Sequence, residues 1–107
     1  MLKNPDIVLK ALADPTRRQL LEHLIQHGEH TVRELTDHSD VSQPMVSKHL
    51  AVLKGAGLVS DHPEGRVVNY RAEPKALAPL YDWLDRYRGF WLDRFNRLES
   101  TLKRMDQ

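Results

Sequence analysis

The apolar residues of this 107-residue chain change their spacing at Gly57. Before Gly57 they recur every three or four residues, which is the period of helices that bury one face. After it come two short runs rich in β-branched and aromatic residues, Leu58–His62 and Arg66–Ala72, separated by Pro63-Glu64-Gly65. Two such runs joined by turn-forming residues predict a β-hairpin. From Pro74 the helical period returns, so we expect a mainly α chain with a small β-hairpin (α+β).

Three local signals predict where the first helices begin. Asn4-Pro5 and Asp14-Pro15 each place a capping residue before a proline at the first helical position, and Gly28 is expected to end the second helix. Thr31 and Glu34 have the spacing of a capping box, which predicts a third helix.

A fourth helix is predicted over Ser42–Lys54, with Ser42 as its N-cap and Pro44 in its first turn. Its apolar face consists of Val46, Leu50 and Leu53, and its outward face of Pro44, Ser47, Lys48 and Ala51. A helix that packs by one stripe and presents Gln, Ser and Lys from its first turns fits the major groove of DNA. The alternative is an ordinary amphipathic helix packed on a core. Helices three and four followed directly by a hairpin predict a winged helix-turn-helix.

Length and composition limit the other possibilities. We expect a single domain over residues 1–107, with 75–107 as a C-terminal dimerisation helix. The absence of cysteine excludes disulfides and thiolate metal ligands. No apolar run approaches the ~20 residues of a membrane span, and no secretory pattern opens the chain, so we expect a cytoplasmic protein without a membrane partner.

The net charge of +1 provides no general positive field. Residues 1–74 contain nine Lys or Arg against ten Asp or Glu, and residues 75–107 contain seven against five. Phosphate contacts must therefore depend on local placement of Arg17, Arg18, Arg33, Lys48, Lys54 and Arg66. Arg17 and Arg18 begin a helix, where positive charge is unfavourable to the helix dipole, so one of them is expected to face a phosphate or an acidic side chain.

Several motifs together resemble the ArsR/SmtB family of bacterial winged-helix repressors. They are Ala11-Leu-Ala-Asp-Pro-Thr-Arg-Arg-Gln-Leu-Leu21, Ser42-Gln43, Val46-Ser-Lys-His-Leu50, Leu53, Gly57-Leu-Val59 and Asn69-Tyr-Arg71. The resemblance implies a homodimer that binds a partly palindromic operator in double-stranded DNA and represses transcription.

Eight residues are expected to contact DNA: Ser42, Gln43, Pro44, Ser47, Lys48, His49, Lys54 and Arg66. Gln43 could pair with adenine, and Ser47 and Lys48 could reach base edges or phosphates. Arg66 follows the wing tip, where a cation could enter the minor groove. The alternatives are a solvated polar surface, a packed His49 bonded to a carbonyl group, and a free surface Arg66.

The terminal helix has an apolar stripe that is too long and too aromatic for one small domain to cover. We therefore expect a dimer interface formed by Ile7, Leu84, Tyr87, Trp91, Phe95, Leu98 and Leu102. Packing within one subunit is the first alternative. The second is a pocket around Phe90–Phe95 that binds an apolar effector.

The resemblance implies two common sites for sensing metals, and neither is complete. Val32–Asp37 lacks cysteine, and the last helix has Asp82, Asp85 and Asp93 but no histidine. We therefore predict no metal site and no cofactor. His23, His27 and His30 leave open the alternative of a metal-gated sensor, since the first two lie one helical turn apart.

The sequence shows no enzyme signature. Gly55-Ala56-Gly57 lacks the third glycine of a dinucleotide loop and leads into a predicted strand, and no nucleophile elbow or phosphate loop is present. We predict a DNA-binding regulator without catalytic activity. The alternative from another class is a winged-helix module that binds a protein.

Overall fold

The computed structural model describes residues 5–106. Its helices are α1 (Asp6–Leu12), α2 (Pro15–His27), α3 (Val32–Asp37), α4 (Gln43–Gly55), α5 (Ala78–Arg86) and α6 (Arg88–Met105), with a 3₁₀ helix over Pro74–Leu77 before α5. Its strands are β1 (His30–Thr31), β2 (Val59–Glu64) and β3 (Val67–Ala72). The predicted mainly α class with a small antiparallel sheet is confirmed.

The start of α2 is capped as predicted. Asp14 accepts hydrogen bonds from the backbone N–H groups of Thr16 (2.8 Å) and Arg17 (3.2 Å), two donors that have no partner inside the helix. At α1 the predicted cap Asn4 lies outside the described residues, and Pro5 occupies the capping position instead of the first helical position.

The starts of α3 and α4 also follow the predicted local chemistry. The Thr31 N–H donates to Glu34 (2.9 Å) and the Glu34 N–H donates to the Thr31 hydroxyl (3.2 Å), so both halves of the capping box are formed. The Ser42 hydroxyl accepts from the Met45 N–H (3.4 Å) at the start of α4. Gly28, with φ of 82°, ends α2 in a conformation that favours glycine.

The sheet has three strands in the order β1-β3-β2, whereas the sequence predicted only the hairpin. In the additional strand, β1, His30 pairs with Tyr70 and Thr31 pairs with Asn69. A strand of two residues has no periodicity, so the sequence carries no signal for it. Its pairing depends on β3, which the fold places beside it.

The predicted hairpin tip, Pro63-Glu64-Gly65, is wrong in its bounds. Strand β2 continues through Glu64, β3 begins at Val67, and the turn consists of Gly65 and Arg66. Gly65 has φ of 62°, as the first residue of a type II′ turn requires. Pro63 is tolerated within β2 because this strand lies at the edge of the sheet.

The single terminal helix predicted from residue 75 is also wrong, because α5 and α6 are separate helices. Tyr87 lies between them with φ of −108° and ψ of 11°, and Gly89, a weak helix former, follows two residues later. The Trp91 N–H donates to the Tyr87 carbonyl (2.9 Å), so helical bonding resumes at once. One non-helical residue leaves the three-and-four spacing of the apolar residues unchanged. The sequence pattern therefore gave no sign of the break between α5 and α6.

One hydrophobic core holds the first four helices and the base of the sheet together. Its buried side chains are Val8, Ala11, Leu20, Leu21, Leu24, Leu35, Val46, Leu50, Leu53, Leu58 and Val59. Helices α5 and α6, all of whose residues are described, add no buried side chain to it. The radius of gyration is consequently 17.9 Å, against the ~13 Å typical of a compact domain of about 100 residues.

Candidate nucleic-acid interface

Helices α3 and α4 and the turn between them form a helix-turn-helix. In the turn, the Ser39 hydroxyl donates to the Thr36 carbonyl (3.1 Å) and accepts from the Val41 N–H (3.4 Å). Val41 packs against the core. These contacts fix the angle at which α4 leaves the turn.

Helix α4 buries one side and exposes the other, as predicted. Its apolar stripe is fully buried: Val46, Leu50 and Leu53 have no exposed surface. The predicted contact residues on its outer side are all exposed: Ser42, Gln43, Pro44, Ser47 and Lys48. Because the buried stripe fixes the rotation of α4 about its axis, these side chains form one solvent-facing surface.

His49 differs from the other predicted contact residues. Its side chain is buried, with 8 % of its surface exposed, and it lies with the apolar stripe of α4. The structure therefore favours packing of the His49 ring over a contact with DNA. Val52 is the reverse case, because it is apolar and exposed. Val52 lies outside the apolar stripe of α4. That position in the helical period is the sequence signal that could have identified it as an exposed residue of the candidate DNA surface.

The hairpin β2–β3, hereafter the wing, lies beside α4. Arg66 is exposed at its tip, next to Gly65. The Lys54 ammonium lies 2.9 Å from the Asp61 carboxylate in β2. This hydrogen bond and the opposite charge raise the pKa of Lys54, and the same bond lowers the pKa of Asp61. Asp61 was not identified from the sequence, because only the fold brings β2 beside the end of α4.

The base of the wing is tied to the core domain by polar contacts. The Arg71 guanidinium pairs with Glu29 (2.6 Å), which joins β3 to the segment after α2. This hydrogen bond raises the pKa of Arg71. The Ser60 hydroxyl contacts Glu73 (2.7 Å) on the other side. The base of the wing is therefore anchored, while its tip extends into solvent.

Arg17 and Arg18 do not have the expected roles. The Arg17 side chain donates to the carbonyl groups of Ala11 (2.5 Å) and Lys10 (3.1 Å), and Arg18 donates to the carbonyl of Leu12 (2.6 Å). These carbonyls end α1, where cations are favourable to the helix dipole. The two arginines thus stabilise the α1–α2 corner, and the charge of Arg17 also contributes to lowering the pKa of the acidic Asp14.

The residues expected at a dimer interface are all exposed in the single chain: Ile7, Leu84, Tyr87, Trp91, Phe95, Leu98 and Leu102. The exposed fraction reaches 60 % for Ile7 and 62 % for Phe95. A groove of about 700 Å³ runs along α5 and α6, lined by Tyr81, Leu84, Asp85, Arg88, Trp91, Leu92 and Phe95. The first alternative, in which these seven residues pack within one subunit, therefore does not agree with their exposure in the described part of the chain.

The histidines considered as metal ligands lie close together. The ring centroid of His23 is 4.7 Å from those of His27 and His30, and 4.9 Å from that of His38. Within residues 5–106, however, no three His, Asp or Glu side chains are arranged to hold a metal ion. His38 was missed because it lies fifteen positions from His23 and follows another helix, α3. We name these four residues the histidine cluster.

No helix among the described residues is long and apolar enough to cross a membrane.

Comparison with known proteins gives one consistent result. The family model described as "Bacterial regulatory protein, arsR family" matches residues 14–61, which contain α2, the helix-turn-helix and the start of the wing. The chain is 47% identical over 85 residues to the HTH-type transcriptional regulator Rv2034 of Mycobacterium tuberculosis, covering 79% of this chain and 78% of that protein.

Two further similarities agree with this result. The chain is 36% identical over 77 residues to the transcriptional repressor SdpR of Bacillus subtilis, covering 72% of this chain and 84% of that protein. The crystal structure of an ArsR family transcriptional regulator superposes with a TM-score of 0.72 at 33% identity, covering 85% of this chain and 96% of that one.

Proposed function

Because the chain belongs to the ArsR family of bacterial regulators, which bind DNA and control transcription and are not enzymes, we propose that it is a homodimeric repressor. Each subunit would read one half of a palindromic operator through α4. The repressor role is supported by the relatives that bear that name, among them the B. subtilis protein.

The observation that carries the proposal is the two-sided character of α4. Its buried stripe holds the helix rigidly on the core, and its other side presents hydrogen-bonding and small side chains near its N-terminus. Gln43 would pair bidentately with adenine, and Ser47 would reach a base edge or a phosphate. Pro44, Ala51 and Val52 would provide the close apolar contacts that recognise thymine methyl groups. Ser42 caps the helix and would lie at the phosphate backbone.

Affinity would come from a small number of cations placed where the phosphates lie. Lys48 is exposed in the middle of α4, and Arg66 is exposed at the wing tip. Lys54 is paired with Asp61, so its role would be to hold the wing at a fixed angle to α4 and to contribute a partly neutralised charge. His49 would support the helix from inside, since it is buried.

Dimerisation would occur through α1, α5 and α6. Helix α6 has 18 residues and is about 27 Å long, yet all its side chains are exposed. Its apolar residues Trp91, Phe95, Leu98 and Leu102 follow the three-and-four spacing of a helix that packs against another. An exposed aromatic surface of this length marks an interaction site. A second copy is the partner we propose, and it would also cover Ile7, Leu84 and Tyr87.

This dimer would place the two α4 helices one DNA turn apart, ~34–36 Å, or a multiple of that distance. An effector would act by changing the angle between the subunits, so that the two α4 helices no longer match successive grooves. Such a change would be made at the dimer seam, because Leu84, Trp91 and Phe95 of the apolar groove along α5 and α6 are among the residues that the second copy would cover.

The test is to select fragments of the source genome with the purified protein and to map the protected bases. We expect a palindrome whose halves are separated by one turn or a multiple of it, bound by two subunits. Salt dependence gives an independent check. Four phosphate contacts per dimer, from Lys48 and Arg66 of each subunit, predict that affinity falls about a hundredfold between 50 and 200 mM salt. If the chain does not bind DNA but binds one specific protein, the result would support the alternative of a winged-helix module that binds a protein.

A further inference from the structure

The histidine cluster brings together side chains from three parts of the fold. His23 and His27 lie on α2, His30 begins β1, and His38 is the residue that ends α3. The His23 ring is in contact with the rings of all three others, and it stacks on His38 with an interplanar angle of 30°. The cluster therefore connects α2 both to the sheet and to the start of the turn that leads into α4.

His23 is held in a setting that favours its neutral form. Its Nε2 atom is buried and has no hydrogen-bond partner among the described residues. Burial, followed by the charges that His30, His27 and His38 would carry, lowers the pKa of His23. A charged His23 would be surrounded by three groups able to take the same charge, at ring distances below 5 Å.

The acidic groups near the cluster lie on the side of His30 and His38. Glu34 on α3 is near enough to His30 and His38 for their charges to contribute to lowering its pKa, although its bonds to Thr31 contribute more. Glu22 on α2 lines the same hollow as His23 and His38. Glu29, next to His30, is already paired with Arg71 of β3. These carboxylates lie on α2, on α3 and on the segment that joins α2 to β1.

We propose that the histidine cluster is a proton-sensitive joint that couples acidity to the position of α4. When the four imidazoles are neutral, their ring contacts hold the end of α3 against α2. Protonation of His23 in acid places a charge on a ring whose Nε2 atom is buried without a partner, so the ring leaves its contacts and the turn over residues 38–42 is released. Helix α4 begins directly after that turn, so its position on DNA is loosened.

The direction of the effect follows from proton linkage. A histidine whose pKa is lowered in the folded chain binds fewer protons there than in the unfolded chain. Its contribution to stability is complete above the ordinary imidazole pKa of about 6.5 and is lost as the pH falls below it. The free energy of unfolding should therefore decline between pH 7.5 and pH 5.5. Operator affinity should decline with it, because the released turn directly precedes α4.

This inference rests on the proposed DNA-binding function, so the experiment measures two properties. Urea unfolding midpoints and the affinities for a selected operator and for a scrambled duplex are measured with EDTA at pH 7.5, 6.5 and 5.5. The ratio of the two affinities removes the general gain in attraction that any added positive charge produces. For the wild type we expect this ratio to fall on the order of tenfold from pH 7.5 to pH 5.5.

The decisive variant is His23→Phe, which keeps a ring in place but cannot take a proton. We expect it to lose most of the pH dependence of both the midpoint and the ratio. His62→Gln is the matched control for pH dependence, because it removes a histidine that lies outside the cluster and bonds Ser60. Whatever its operator affinity at pH 7.5, the change of its midpoint and ratio with pH should follow the wild type. If His23→Phe does not fold, His38→Phe tests the same stack from the other side.

Each contrary outcome has its own meaning. If the wild type and the folded phenylalanine variant show equal pH dependence, the proposal that the histidine cluster responds to protons is overturned. A dependence that appears only when zinc replaces EDTA overturns it in favour of a metal site. If no duplex is bound at pH 7.5, the proposed function fails, and the unfolding midpoints alone still decide whether the cluster responds to protons.

Discussion

The ammonium group of Lys54, in the last turn of α4, lies 2.9 Å from the carboxylate of Asp61 in the first strand of the wing. The pair connects α4 to the wing, which are the two elements that a winged helix-turn-helix places against a DNA duplex. Both side chains are partly exposed, so the contact is weak as a source of stability. Its importance lies in charge, because Asp61 neutralises one of the few cations near the proposed DNA surface.

Changing each partner of this pair should move DNA affinity in opposite directions. Asp61→Asn releases Lys54 for a phosphate, so we expect tighter binding and a salt slope larger by about 2 for a dimer. Lys54→Met leaves Asp61 unpaired near the phosphates and should weaken binding. Anisotropy titrations at several salt concentrations measure both effects. Unchanged affinity in both variants would place this pair away from the DNA.

Ser47→Glu should abolish operator binding without disturbing the fold. Ser47 is exposed on the proposed reading face of α4, where a carboxylate would meet the phosphates. Like charges brought together at an interface cost several kcal/mol, so we expect affinity to fall at least about a hundredfold. Ser47→Ala is the matched control and should retain most of the binding. The assigned face of α4 is incorrect if the glutamate variant binds as well as the control.

Trp91→Asp should weaken dimerisation and DNA affinity together. Trp91 is exposed in the single chain and would be buried between two copies, where an unpaired carboxylate is unfavourable. We expect the dimer dissociation constant to rise by about a hundredfold or more. Ser100→Asp adds the same charge to the opposite, polar side of α6 and should leave the dimer intact. Sedimentation that finds the Trp91 variant fully dimeric would contradict the proposed interface.

Asp14→Asn should reduce the acid sensitivity of the fold. Hydrogen bonds from the backbone N–H groups of Arg17 and Thr16 lower the pKa of Asp14 below its usual 3.8. A lowered carboxylate pKa stabilises the folded chain above the unfolded value, and that contribution is lost as the pH falls through the folded value. Asparagine caps helices well but does not titrate. Urea unfolding from pH 5 down to pH 2.5 should therefore show a shallower decline in the variant, with little change at pH 7.

The elements that were predicted correctly are those whose causes lie within a few residues. The caps at Asp14, Thr31 and Ser42 follow from one side chain and the backbone two or three positions later. The buried stripe of α4 follows from its helical period, which also assigns its outward face. The position and exposure of the candidate DNA surface were thus largely determined by local sequence.

Other features depend on segments that only the folded chain brings together. The β1 pairing, the Lys54–Asp61 contact and the His23–His38 stack each join residues on different elements. Distances between elements come from core packing, which a one-dimensional pattern does not contain. The break at Tyr87 was hidden for a related reason, since one non-helical residue leaves the apolar spacing unchanged.

The sequence by itself determined that the first four helices exist, where α2, α3 and α4 begin and which side of α4 is buried, because these follow from local hydrogen bonding and from burial of apolar residues at a fixed period. The tertiary structure alone decided that His49 is packed, that Arg17 and Arg18 end α1, and that four histidines meet. Those outcomes depend on which polar groups come within hydrogen-bonding or ring-contact distance once the chain has closed around its core.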